Sequence, residues 1–276
     1  IRGRLLDRKG NLLVGNKLVY NLYLQPRLVT DQNWPELRDK LSQLLNLSKE
    51  SLDLRRMQRK MHDGYRIILA KDLKQEQVLR FQEQSLKLEG AEVDIDLLRH
   101  YPYDTLAAHV LGYTQQITKE EYKLLSSNGY KLRDRIGRRG IEAAYESHLR
   151  GQWGGQMLEV DAFGTVQRSL GEKPAIPGKD LILTIDFTIQ KAAEEALSDK
   201  YAGAIVAMNP HTGAVLAMAS RPVFNPNFFS KSFTTQKEYD QLFLSSSRPL
   251  FSRALNAYDP GSTWKPVTAI AGMESG

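Results

Sequence analysis

The chain has 276 residues, enough to bury the core of one large domain or two ordinary ones. Its 41% hydrophobic and 25% charged residues exclude a disordered chain, and its apolar runs, such as Ala204 to Met208, are only a few residues long and exclude a bilayer-spanning helix. The net charge of +6 is modest for this size, and zero cysteines exclude a disulfide framework, thiolate zinc sites and cysteine nucleophiles.

From the N-terminus, "DRKGNLLVGNKLVYNLYLQP" predicts two strands, Asn11–Val14 and Lys17–Leu24, with a turn at Gly15–Asn16. Leu37, Leu41, Leu44 and Leu45 then recur at helical spacing over 34–47, with Pro35 near the first turn. "GYRIILA" (64–70) predicts a short strand, and helical spacing returns over 71–88 through Leu73, Val78, Phe81 and Leu88. Between Leu106 and Tyr145 lie three shorter helix candidates, the clearest opening at Thr118, where Glu121 completes a capping-box pattern. "GIEAAYESHLRG" follows as a helix with Gly151 as its stop. From Met157 the pattern is extended until Gly171–Asp180, whose two prolines and two glycines make it the best candidate domain boundary.

Beyond that boundary "DLILTID" reads as a strand. Ile189, Ala192, Ala193, Ala196 and Leu197 then form a helical stripe. "GAIVAMNPHTGAVLAMAS" reads as a hairpin turning at Asn209–Gly213, with arms apolar enough to suggest burial on both faces of a central sheet. The expected fold class is α+β: a mixed α/β module over 1–175, followed over 176–276 by the opening of an α/β domain.

The chain closes on "DPGSTWKPVTAIAGMESG". Ser262 is the only serine with a lysine three positions on, and residues three apart share a helix face. A serine hydroxyl needs a base to take its proton as it attacks. Lys265 can supply that base if a helix begins at Ser262. With Thr263 as first helical residue, Pro266 is the fourth, where a missing N–H costs nothing. Ser262 is then the N-cap, at the positive end of the helix dipole. Read from these two residues alone, a capped helix with a surface lysine is the more ordinary interpretation.

The whole phrase "PGSTWKP" resembles the nucleophile segment of the penicillin-binding proteins, whose motif set is S-x-x-K, S-x-N and K-T-G. "RGRLLDRKGNLL" resembles the segment after the membrane anchor of the class B members. "RHYPYDTLAAHVLGY" and "GRRGIEAAYESHLRG" resemble their non-catalytic pedestal. "GKDLILTIDFTIQKAAEEAL" and "GAIVAMNPHTGAVLAMASRPVFNPN" resemble the first elements of their transpeptidase domain. The fit is best to the elongation-type branch, with the division-type branch second.

The resemblance implies an elongated pedestal (dimerisation-type) domain followed by the first part of a penicillin-binding/β-lactamase-like α/β transpeptidase domain. It implies that Ser262 attacks the penultimate D-Ala carbonyl of a peptidoglycan stem peptide and that Lys265 acts as base. β-Lactams would acylate the same serine. It implies a single N-terminal anchor in the bacterial cytoplasmic membrane, with the domains facing the periplasm. An N-terminal piece is expected to be missing, since the chain opens on Ile1 without methionine. The implied partners are a membrane-embedded glycosyltransferase and scaffold proteins of cell-wall synthesis.

Ser126–Ser127–Asn128 fits S-x-N but precedes Ser262 and reads as a loop after a helix. No K-[ST]-G occurs, so this chain alone is expected to be inactive. The alternatives are an interaction module of the cell-wall complex, or a sensor of β-lactams or muropeptides. The five histidines show no metal-ligand spacing, so neither metal nor cofactor is expected. Nucleic acid is not expected either, because the basic runs, Arg55/Arg56/Arg59/Lys60 and Arg133/Arg135/Arg138/Arg139, lack interleaved aromatics. Asp7–Arg8 and Arg99/Arg139 are expected in ion pairs within the pedestal.

Overall fold

The computed structural model describes residues 1–57, 66–132, 134–160, 166–230 and 235–276. Gly64 and Tyr65 of the "GYRIILA" strand, together with Arg59, Lys60, His62 and Arg133, lie outside the described residues. In chain order the elements are β1 (Leu5–Leu6), β2 (Leu12–Leu24), α1 (Trp34–Leu45), α2 (Lys49–Met57), β3 (Ile67–Leu73), α3 (Gln75–Gln84) and β4 (Ala91–His100). There follow α4 (Ala108–Leu111), β5 (Thr114–Gln116), α5 (Lys119–Leu125), β6 (Arg135–Gly137), α6 (Gly140–Ala144), α7 (Glu146–Leu149), β7 (Gly155–Val160) and β8 (Val166–Lys173). The last part carries β9 (Leu181–Ile182), α8 (Phe187–Ala196), β10 (Gly203–Met208), β11 (Val215–Arg221), α9 (Gln236–Phe243) and α10 (Lys265–Ser275).

A five-stranded sheet organises the first part. Its order is β3-β2-β1-β9, with β4 also paired to β2. The predicted turn at Gly15–Asn16 does not form. β4 runs antiparallel beside β2 from Gly15↔His100 to Leu24↔Ala91, so continuing the strand satisfies every backbone group that a turn would have freed. Asn16 donates instead to the Arg2 carbonyl at 2.6 Å.

The helices α1, α2 and α3 cover one face of this sheet, with Trp34, Leu41, Leu45, Leu52 and Phe81 against Leu22, Leu24 and Leu69. Each fully buried leucine contributes about 1.5–3 kcal/mol. Helix α3 starts later than its spacing suggests. Lys71–Leu73 belong to β3 and Lys74 is the N-cap. The predicted single helix over "GIEAAYESHLRG" breaks at Tyr145, where φ is −112° and ψ 27°.

A second core joins the two ends of the first part. Leu5, Val14, Tyr101, Leu111 and Leu149 pack together, and Leu181, Leu183 and Phe187 pack against them. Only Leu181–Ile182 of "DLILTID" pairs, parallel to β1, because Asp186 caps α8 by accepting from the Thr188 and Ile189 amides. The Gly171–Asp180 stretch is stitched down as well. Gly178 donates to the Ile1 carbonyl and Lys179 to that of His148, at 2.8 and 3.0 Å.

The hairpin forms as predicted. β10 and β11 pair antiparallel from Gly203↔Arg221 to Met208↔Val215. The Asn209 side chain holds its turn by accepting from the His211 and Thr212 amides. Burial on both faces is not seen. Ala193 and Leu197 of α8 cover Ala217 and Ala219, whereas Val206 and Met208 on the other face are 45% and 55% exposed. The two strands form a sheet of their own.

Candidate active site

The path to Ser262 starts from α8. Gln190, fully buried, accepts from the Met218 amide and donates to the Met218 carbonyl, at 2.8 and 3.2 Å. A mid-helix glutamine can thus complete the hydrogen bonding of a strand on its sheet. After β11 the chain folds back onto the first part. Phe224 and Leu242 bury against Ala108 and Tyr113, with Phe228, Phe229 and Leu250 alongside, and the Tyr113 and Phe229 rings stack at 3.5 Å. The Ser220 hydroxyl then accepts from the Arg253 amide at 2.9 Å.

From Leu255 to Gly276 every residue is exposed. The helical run begins two residues earlier than the sequence predicts, at Gly261 with Pro260 as its N-cap. The Thr263 amide and hydroxyl both bond back to the Pro260 carbonyl, closing a 3-10 turn over Gly261–Trp264 that continues into α10. Ser262 therefore lies inside the run, not at its N-cap. Its amide and that of Gly261 stand at the open end, ahead of the first hydrogen-bonded N–H at Thr263. Gly261 has φ +51°, a value that favours glycine. Pro266 falls within the first two positions of α10, and the Lys265 amide donates to the Ser262 carbonyl.

Ser262 and Lys265 are thus placed on one helical run at the spacing the chemistry asks for. Neither side chain makes a hydrogen bond or ion pair among the described residues. Trp264, Val267, Ile270 and Met273 of the same run are 56%, 48%, 60% and 83% exposed. Ser126–Asn128 forms a 3-10 turn after α5, closed by Gly129 at φ +75°. No group of three or more His, Asp or Glu side chains among the described residues is placed to hold a metal ion.

Of the charged candidates upstream, Arg99 is in a buried ion pair with Glu142. Asp7 is not paired with Arg8. It accepts from the amides of Lys9, Asn11 and Phe187. Burial alone would raise its carboxyl, but these bonds and that from the Asn11 side chain hold it below its ordinary value. Arg8 and Arg139 are exposed.

A family model described as the penicillin-binding protein dimerisation domain matches residues 1–183, and one described as the penicillin-binding protein transpeptidase domain matches 203–276. The chain belongs to the penicillin-binding proteins. Among curated relatives, the peptidoglycan D,D-transpeptidases MrdA of Acinetobacter baumannii and Escherichia coli are each 34% identical to it. The matches span 100% of this chain and 41% and 44% of the relatives, so the chain covers less than half of their length.

The fold agrees with this family. A complex of penicillin-binding protein PBP2 with MreC from Helicobacter pylori superposes with a TM-score of 0.86 at 26% identity, over 99% of this chain and 51% of that one. A chain described under the structural coordination of polymerization and crosslinking by a peptidoglycan synthase complex gives 0.68 at 31% identity, over 100% and 47%. The α+β architecture is therefore that of a dimerisation domain followed by the start of a transpeptidase domain. Within the penicillin-binding protein chain, α8 lies between the two matched regions.

Sequence reading missed Gln190 and Glu142 as structural anchors. A glutamine among alanines and a glutamate in a short helix both carry the signature of solvent-facing residues. Asp186 was readable, since an aspartate directly before a helical apolar stripe marks an N-cap.

Proposed function

We propose that this chain is the dimerisation part and nucleophile-bearing opening of a serine-type peptidoglycan D,D-transpeptidase. The observation that carries the reading is "PGSTWKP" at the head of a helical run inside the matched transpeptidase region. Ser262 and Lys265 sit three residues apart there, on one face.

Lys265, as the base, takes the Ser262 proton as Oγ attacks the penultimate D-Ala carbonyl. The tetrahedral oxyanion is met by the open Ser262 amide. Collapse breaks the amide bond and releases D-Ala, whose nitrogen takes up the proton. An amine of a neighbouring stem peptide then attacks the acyl-serine ester, forming the cross-link and restoring the hydroxyl. β-Lactams, which mimic D-Ala-D-Ala, stop at the ester.

The domain division near residue 175 belongs to the same reading, with the first part as the contact for scaffold and glycosyltransferase partners. The relative solved with MreC supports that role. The first part is placed outside the cytoplasmic membrane on a single anchor. No helix among the described residues is long and apolar enough to cross a membrane. The S-x-N and K-T-G motifs that the mechanism needs after the nucleophile do not occur after Ser262 in these 276 residues, and the chain by itself is proposed not to turn over.

Fluorescent-penicillin labelling of a full-length protein carrying this sequence tests the reading. Labelling that is lost in Ser262→Ala, with D-Ala release from a stem pentapeptide, supports it. Labelling that persists in Ser262→Ala moves the nucleophile elsewhere, and labelling without D-Ala release favours the sensor.

A further inference from the structure

The second part of the chain grips the first through side chains that hold backbone. The Asn227 amide oxygen accepts from the Tyr101 N–H at 3.0 Å, and its nitrogen donates to the Tyr101 carbonyl at 2.8 Å. One side chain thereby replaces the two hydrogen bonds of a strand neighbour, at the point where β4 ends. The Asn225 amide adds a bond to Asp104 at 2.9 Å. Asn227 also follows β11 by six positions, so the grip fixes where that strand leaves its hairpin.

A second grip lies further along. His109 of α4 is hydrogen-bonded through Nε2 to the Pro249 carbonyl at 2.8 Å. A carbonyl only accepts, so Nε2 carries the proton. The ring is wedged edge-on to Phe224, with centroids 5.2 Å apart. Four residues after Pro249, the Arg253 amide bonds to Ser220 of β11. The 249–253 segment is therefore held at one end by the first part and at the other by the hairpin that Asn227 steers. The chain then passes directly to the exposed run bearing Ser262.

We propose that Asn227 and His109 form a two-point joint by which the dimerisation part sets the position of the 249–253 segment, and so of the helical run that follows it. The coupling is mechanical and does not depend on Ser262 being the nucleophile. A displacement of the end of β4 moves Tyr101, and with it Asn227, β11 and Ser220. The same displacement reaches α4 and pulls on Pro249.

Amide hydrogen exchange on this chain, resolved by residue, tests the joint. In Asn227→Ala, exchange is expected to rise about tenfold at Tyr101 and, by a smaller factor, at Arg253. In His109→Phe, which keeps a ring of similar size without the N–H, Arg253 and Phe251 are expected to exchange several-fold faster. His109→Gln, which restores a donor, is expected to return them most of the way. Faster exchange at Tyr101 with no change at 251–253 in either variant makes the grips local clasps and overturns the proposal. If Asn227→Ala does not fold, Asn225→Ala, which removes the Asp104 bond and the bond that the Asn225 side-chain oxygen accepts from the Asn227 amide, is read at the same amides against the same two outcomes.

Discussion

Arg99 and Glu142 meet in a buried ion pair at 2.6 Å, across 43 positions of sequence. Glu142 is fully buried, and its other oxygen takes the Arg2 guanidinium at 2.6 Å. Arg99 also donates to the Gly3 carbonyl at 2.7 Å. One carboxylate thus ties the N-terminal segment, the end of β4 and helix α6. These lie in three of the upstream stretches that resemble the family.

Removing Glu142 leaves the buried Arg99 guanidinium without its carboxylate and takes one of two carboxylates from Arg2. Breaking a buried pair by deleting one partner costs about 3–5 kcal/mol. Glu142→Ala is expected to lower the unfolding free energy by that amount, read in urea as a lower midpoint with the m-value unchanged. Arg99→Met with Glu142→Leu is expected to recover part of the loss, since Arg2 keeps Glu146 at 2.7 Å. A loss below about 1 kcal/mol in the single variant would place the pair among weak surface bridges.

The Thr118 capping box gives a pH-dependent prediction. Arg138 pairs with Glu121, and the Thr118 amide donates to the same carboxylate at 2.8 Å. Together they pull its pKa from 4.5 down to about 2. A depressed folded-state pKa means that the stabilisation is complete above 4.5 and is lost as pH falls through about 2. Glu121→Gln is expected to flatten the unfolding midpoint across that window relative to the unchanged protein. Parallel pH curves for the two would assign the acid sensitivity to other carboxylates.

What the sequence discloses here follows from how local each signal is. The Thr118–Glu121 box, the Asn209 turn and helix α8 are set by neighbours within a few residues, and all three form. Of the α8 stripe, however, only Ala193 and Leu197 are buried, while Ile189, Ala192 and Ala196 are exposed and Gln190 takes their place. Gly15–Asn16 looks like a turn by the same local rules, but its strand continues because β4, some eighty positions later, supplies the partner. That partner carries its own signal, with Val93, Ile95 and Leu97 alternating with Asp94 and Asp96. The site divides in the same way. The Ser262–Lys265 spacing is local, whereas Asn227 on Tyr101 and His109 on Pro249 are long-range contacts, and no short window of sequence announces them.

Gly112 tests close packing against local conformation. It has φ +76°, and a Cβ there would lie 1.8 Å from the Arg139 carbonyl oxygen. Gly10 has φ +85° with nothing within 4 Å. Forcing a side chain into the left-handed region costs about 1–2 kcal/mol, so Gly10→Ala is expected to lose that much. Gly112→Ala must in addition push the α4 and α6 segments apart, and is expected to lose more than about 4 kcal/mol. Thermal unfolding of the two variants compares them directly. Equal losses would show that the backbone angle, and not the contact with Arg139, governs Gly112.

An isolated segment 180–276 is expected not to fold cooperatively. Leu181, Leu183 and Phe187 complete a core whose buried members, Leu5, Val14, Tyr101 and Leu149 among them, all lie before residue 150. The Phe187 amide bonds to the Asp7 carboxylate at 3.1 Å, and Lys9 forms an ion pair with Asp186 at 2.9 Å. β9 has β1 as its pairing partner. Cutting at residue 180 removes all of these at once, while Val206, Met208 and the apolar side of α10 stay exposed. Exposed apolar strands with open edges favour association over folding. Circular dichroism of the segment during heating is expected to change gradually, with concentration-dependent scatter. A single sharp transition that is independent of concentration would show that α8 and the hairpin suffice as a core.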